Sequence, residues 1–351
     1  MTRMRGWLWG LTLAVLAAAS GGAQAAIPKD FFQVSVPVAD RESTDRQAAI
    51  REALGILLVR LSGDPAIAKQ GPAQAVLQRS RDFVQRYQYI EVPPAATAAP
   101  SGLRLTLLFD GQSLESAMRA AGLPVWGRER PAILAWIAVD EGGRRRLLSA
   151  TDASPLRTGL EAAAQRYGLP LVLPLMDLED QASVPLADIW GGFVDALREP
   201  SRRYQPQGLL LGRIWESGGG WTARWILDFN GEQLRWQHQA GSAQALIEEG
   251  VAELARRLAA RLAVRSGAEP ARLQTVTVEG IDSLEDMARV IGYLQQLSMV
   301  DSVELSRVAG GRAEFELMLN GGLQYLQQAI ALGRVLQFES QLPAPLYRLQ
   351  N

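Results

Sequence analysis

The chain has 351 residues, 36 of them Lys or Arg and 37 Asp or Glu, with one histidine, no cysteine and 48% hydrophobic residues. Without cysteine there is no disulfide, thiolate nucleophile or thiolate metal ligand, and His238 alone leaves the usual general base and metal ligand almost missing. The near balance of charge gives no basic stripe for nucleic acid, and the scarcity of lysine (Lys29 and Lys69 only) points to genome composition rather than phosphate binding. No G-x-S-x-G elbow, H-E-x-x-H helix, phosphate loop or EF-hand spacing is present, so no cofactor or metal is implied.

Arg3 and Arg5 precede an apolar run from Leu8 to Ala19, and Ala23, Gln24 and Ala25 supply the small residues that signal peptidase needs. The run is too short to span a bilayer, which takes about 20 residues. Residues 1–25 therefore predict a Sec signal peptide cut after Ala25, and a periplasmic mature chain without a transmembrane segment.

A first α+β domain is expected over 26–123. Phe32, Val34, Val36 and Val38 alternate as a strand. Thr44 and Gln47 have capping-box spacing, opening a helix with Ala49, Ala53, Leu57 and Leu61 on one stripe, stopped at Ser62-Gly63. A helical stretch from Pro72 to Gln85, a strand over Tyr87–Val92, a Pro- and Ala-rich loop at 93–101, a strand over Leu103–Phe109 and a helix at Ser113–Ala121 follow. The segment from Leu123 to Arg128 reads as a linker around Trp126.

The second domain, 131–264, alternates strand and helix. Ile133–Val139 and Arg146–Ser149 flank a Gly142-Gly143 turn, with Arg144-Arg145-Arg146 as solvated turn residues. A helix over Pro155–Tyr167, the run Leu169–Leu175 as a strand pushed edgeward by its prolines, and a helix at Leu186–Leu197 come next. Three strands then form a meander through Ser217–Gly220 and Asn230-Gly231, with Trp221, Ala223, Trp225, Leu227 and Phe229 on one face. A long amphipathic helix over Ser242–Val264 completes a mixed α/β unit. The remainder, 272–351, has βαββαβ order with Val335–Glu339 as its last strand, the ferredoxin-like pattern. The expected fold class is α+β or α/β, in three small modules.

The segments "FFQVSVPVADRESTDRQAAIREALGILLVRLSGD", "LRLTLLFD", "LPVWGRERPAILAWIAVD" and "GLLLGRIWESGGGWTARWILDFNGEQLRWQ", with the βαββαβ tail, resemble an uncharacterised exported proteobacterial family, domain of unknown function 2066. Val-Arg-Leu-Ser-Gly-Asp and Trp-Gly-Arg-x-Arg-Pro are its more specific parts. The resemblance implies no activity. In outline the central domain is also similar to the α/β domain shared by the amino-terminal part of TolB and the lipoprotein activators of penicillin-binding proteins.

His238, beside Trp236, has no second ligand or nucleophile in view and reads as structural. Trp215, Trp221, Trp225 and Trp236 fit core positions under a helix better than a sugar or peptide platform. Trp126 suits an interdomain wedge. Asp177, Glu179 and Asp180 lack calcium-loop spacing and read as a solvated loop. No catalytic, metal or cofactor residue is assigned; a binding surface drawing on Trp126, Arg128, Asp177, Trp190 and His238 is the candidate site. The expectation is a non-enzymatic binding or scaffold protein of the bacterial envelope, with other envelope proteins as partners and no nucleic acid. The alternative is an envelope hydrolase of glycan or peptide with paired carboxylates, which leave no compact motif.

Overall fold

The structure, a computed structural model, describes residues 31–92, 102–263, 271–341 and 344–350. The signal segment, the loop at 93–101 and residues 264–270, between the second and third expected modules, lie outside the described residues. The chain is mixed α+β, and its described residues form ten α-helices and three sheets. None of those helices is long and apolar enough to cross a membrane.

The first sheet holds β1 (Gln33–Pro37), β2 (Val84–Val92) and β3 (Gly102–Phe109) in the antiparallel order β1-β3-β2. The expected stripe of α1 (Ser43–Ser62), Ala49, Ala53, Leu57 and Leu61, is buried in one core with Val34, Val36, Leu105 and Leu107 of the sheet. No capping box forms at Thr44. The helix already starts at Ser43, after Glu42, which gives no side-chain cap. The stretch from Pro72 is also shorter than expected: α2 (Gly71–Gln78) gives way to a 3-10 turn at Ser80–Phe83, and the chain is extended from Val84. Gln78 to Asp82 is wholly polar and carries no stripe to prolong a helix. Then α3 (Gly111–Ala120) is capped by Asp110, whose carboxylate accepts from the Ser113 amide at 3.2 Å.

The central sheet contains β4 (Ile133–Glu141), β5 (Arg144–Leu147), the two-residue β6 (Leu171–Val172), β7 (Gly208–Ser217), β8 (Gly220–Phe229) and β9 (Glu232–Ala240). Their order is β5-β4-β7-β8-β9, with β6 beside β4. The turn proper is Gly142-Gly143, and Arg144 already pairs with Glu141, so the three arginines belong to a strand. One face is covered by α4 (Pro155–Tyr167) and α8 (Ala243–Leu262). The other is covered in part by α6 (Leu186–Gly191) and α7 (Val194–Ser201), which follow the short α5 (Leu178–Ser183). The single helix expected over 186–197 is broken by Gly192 in the left-handed region, φ 75°.

The last sheet is β11-β12-β10-β14-β13, built from β10 (Arg272–Glu279), β11 (Val300–Ala309), β12 (Arg312–Leu319), β13 (Leu336–Ser340) and β14 (Leu346–Leu349). Both of its helices, α9 (Leu284–Gln296) and α10 (Leu323–Leu332), share one core with Val276, Val278, Phe315 and Leu317. Val335–Glu339 is not the last strand. The chain returns as β14, parallel to β10 and antiparallel to β13, because the fully buried Tyr347 and the buried Leu349 fill the core that a four-stranded sheet would leave short.

Candidate functional site

Because β4 and β7 run parallel, their carboxyl ends open on one side, the usual place for a ligand in an α/β sheet. Asp140 of β4 is in register with Trp215 of β7. Leu209 and Leu211 of β7 are buried with Trp136 and Ile189 under the short helices. By the two-residue period of a strand, Arg213 and Trp215 continue that face, beyond the helical cover. There a cleft of about 450 Å³ opens, lined by Asp140, Arg145, Trp190, Arg213, Trp215 and Arg224 among others. A second depression of about 550 Å³ shares Arg213 and Arg224 and runs on to Arg235 and Gln237 of β9.

Indole and guanidinium groups alternate in the cleft. The Arg145 guanidinium lies 4.1 Å from the Trp190 ring centroid, and that of Arg224 lies 5.5 Å from Trp215. The two indoles meet edge to face at 6.2 Å. Arg145 also pairs with Asp140 at 3.0 Å, and the other Asp140 oxygen accepts from the Gly143 amide at 2.9 Å.

Arg213 and Arg224 stand directly opposite each other across β7 and β8, and Arg235 sits diagonally on β9, where Arg224 faces Gln237. Each has only a neutral partner: the Trp190 carbonyl for Arg213, the Gln237 amide oxygen for Arg224 and that of Gln233 for Arg235. Among the described residues no ion pair reaches any of them. Like charges directly opposite are destabilising, and burial together with Arg224 and Arg235 lowers the Arg213 pKa. An anion bound between these guanidiniums would remove that repulsion, and Arg is the residue best shaped to hold one bidentately.

Of the five residues expected to form a surface, only Trp190 lines this cleft. Asp177 caps α5, accepting from the Asp180 amide at 3.0 Å, and is held at a pKa of about 2 chiefly by hydrogen bonds from Arg203. Asp180 is buried and accepts from the Tyr204 hydroxyl at 2.5 Å. The acidic run is therefore the first turn of a helix, not a solvated loop. Half-buried His238 faces Ala223 on the α8 side of the sheet.

Trp126 and Arg128 belong to a joint between modules. Trp126 is 1% exposed, and its amide donates to the Leu61 carbonyl at 2.6 Å. Buried Arg130 donates to the carbonyls of Arg60, Trp126 and Gly127 at 2.6 to 2.7 Å, while Arg60 donates to those of Phe31 and Gln33. Thus Val59–Asp64 and Trp126–Pro131, distant in sequence, meet in space. Gly63, at φ +68°, brings the end of α1 against α8: a Cβ there would lie 2.5 Å from that of Ala259. Arg119 and Arg128 reach the last module through the carbonyls of Ser298 (2.8 Å) and Gln296 (3.1 Å).

Sequence reasoning missed Arg213, Arg224 and Arg235 and placed Trp215 with the core tryptophans. The signal was present in the turn: pairing Ser217 with Gly220 forces Arg213 opposite Arg224 and puts Trp215 on the face away from Ile214.

Over residues 25–127 the chain is similar to a domain of unknown function (DUF8605). This corrects the family resemblance, since the matching family is not domain of unknown function 2066; an uncharacterised domain remains, and it ends within the Trp126–Pro131 joint. No curated protein matches the chain.

Proposed function

We propose that the chain is an exported, periplasmic, non-enzymatic binding protein of the bacterial envelope, whose central module takes an anionic ligand in the cleft between Trp190, Trp215, Arg213 and Arg224. The observation that carries this reading is the opposed Arg213 and Arg224 pair, without a carboxylate partner among the described residues, in the cleft that opens where the parallel strands β4 and β7 end. The signal-like leader supports export, and the likeness in outline of the central module to TolB-type envelope domains agrees with that location. Asp140 and Glu216 line the same cleft, the arrangement a paired-carboxylate hydrolase would need. Against that alternative, both Asp140 oxygens are engaged by Arg145 and Gly143, which suits a positioning role better than proton transfer.

Tryptophan fluorescence titrated with sodium citrate and inorganic phosphate tests the ligand reading. Saturable quenching is expected, and Arg213→Gln with Arg224→Gln should remove it; the absence of saturable quenching by either anion overturns the proposal. Export is tested separately by the mature amino terminus, expected at Ala26 in the osmotic-shock fluid.

A further inference from the structure

The sheets end in strands of very different character. Strand β1 has five residues and ends in Pro37, β5 has four, and β2, β11 and β13 each carry a register shift. Short, bulged and proline-ended edges are the usual defences against pairing with another chain. Strand β9 has none of them. It has nine residues, no proline and one unbroken register with β8 from Trp221 and Ala240 to Phe229 and Glu232. Its other side pairs with no strand among the described residues, so a row of backbone donors and acceptors is left without a ladder partner.

The faces of β9 define what fits beside it. Toward α8, Leu234, Trp236, His238 and Ala240 are half-buried, whereas Gln233, Arg235, Gln237 and Gln239 are exposed on the opposite face. That exposed face continues into Arg224 and Arg213. We propose that β9 is a docking edge that takes an extended segment of another protein as an added strand, with alternating apolar and acidic side chains. The backbone ladder supplies affinity and the alternating side chains supply selection. The apolar residues extend the layer beneath Leu234 and Trp236, and the acidic ones come beside Arg235 at the distance of a cross-strand pair. A second copy of β9 would offer Arg235 no acidic partner, since the exposed face of the strand carries only Gln233, Arg235, Gln237 and Gln239, so the charge pattern favours a foreign acidic strand over self-pairing.

The test uses fluorescein-labelled synthetic peptides of alternating valine and glutamate, or valine and lysine, with anisotropy and hydrogen exchange on the purified protein. The glutamate peptide should bind and slow exchange of β9 amides, and the lysine peptide should bind about tenfold more weakly or worse. Arg235→Glu should reverse that preference. N-methylating the glutamate peptide on alternate residues in two registers should abolish binding in the register whose amides face β9 and spare the other. Equal binding of both methylated forms would mean capture by side chains alone and overturns the proposal. So does the absence of binding by any peptide, or sedimentation showing that β9 is already occupied by a second copy. Repeating the titration with Arg213→Gln separates the two sites: loss of citrate quenching with retained peptide binding leaves the edge standing without the cleft.

Discussion

The guanidinium of Arg130 lies 3.5 Å from the ring centroid of Trp126, and both residues are buried where the first and central modules meet. The stacked arginine satisfies carbonyls of Arg60, Trp126 and Gly127 that the joint would otherwise bury without a donor. Arg130→Ala should therefore destabilise the protein by about 3 kcal/mol or more, since several charge-assisted hydrogen bonds disappear together. Arg130→Lys should recover only a minor part, because an ammonium cannot reproduce the planar fork. Urea unfolding checks both, and stability near wild type for Arg130→Ala would show that the joint adds nothing to the fold.

That joint marks a boundary of what the sequence discloses. Periodicity made the stripe of α1, the meander and most strands of the last module legible, since each follows from local alternation. Leu123–Arg128 reads as a linker because Gly and Pro flank a single aromatic, yet Trp126 and the following Arg130 are buried. They are buried because the arginines of the joint satisfy carbonyls contributed from distant positions, and such long-range satisfaction has no local signature. The cleft was hidden similarly. Trp215 and Trp225 share one meander, yet Trp215 faces the cleft and Trp225 the core, a difference fixed by register rather than composition. Strand β14 escaped notice because it is short and follows a Pro-rich stretch.

The opposed faces of the meander give contrasting expectations for its tryptophans. Trp225, 1% exposed in the core beneath α8, should lose about 3 to 5 kcal/mol on Trp225→Ala. Trp215, half-buried at the cleft wall, should lose less on Trp215→Ala while anion-dependent quenching disappears. Thermal melts paired with citrate titrations distinguish the two, and equal destabilisation would mean that Trp215 is core after all.

Glu115 gives the first module's contact with the last one a pH dependence. It is buried on α3, 3.7 Å from Arg119, and burial pushes its pKa up to about 7 from 4.5, Arg119 opposing the shift. Between those values the native state holds a proton that the unfolded chain releases. This group's contribution to stability is thus complete below pH 4.5, declines as the pH rises to 7 and is then constant, a span of at most about 3 kcal/mol. Glu115→Gln should flatten that decline, leaving the variant more stable than wild type at pH 8. Denaturant midpoints at pH 5 and pH 8 provide the check; an unchanged difference between them would place the titration elsewhere. Asp177 acts oppositely at lower pH: its depressed pKa gives stability present above about pH 4 and lost on further acidification.

Gly250 offers a test of packing in which helix propensity and sterics disagree. On an exposed helix Gly→Ala stabilises by about 1 kcal/mol, but a Cβ at Gly250 of α8 would lie 2.5 Å from two atoms of the Trp225 ring. Gly212 of β7 approaches the same indole, with a Cβ position also 2.5 Å from it, so the ring is held between two glycines and cannot retreat toward the sheet. Overpacking a core costs about 1 to 3 kcal/mol, and here it should outweigh the propensity gain, making Gly250→Ala net destabilising. Trp225→Leu removes the obstructing ring. Gly250→Ala placed on that background should then be neutral or stabilising, and the sign reversal between the two backgrounds is the coupling a double-mutant cycle reads. If Gly250→Ala stabilises the wild-type protein by the ordinary helical amount, the indole does not fill the space between β7 and α8.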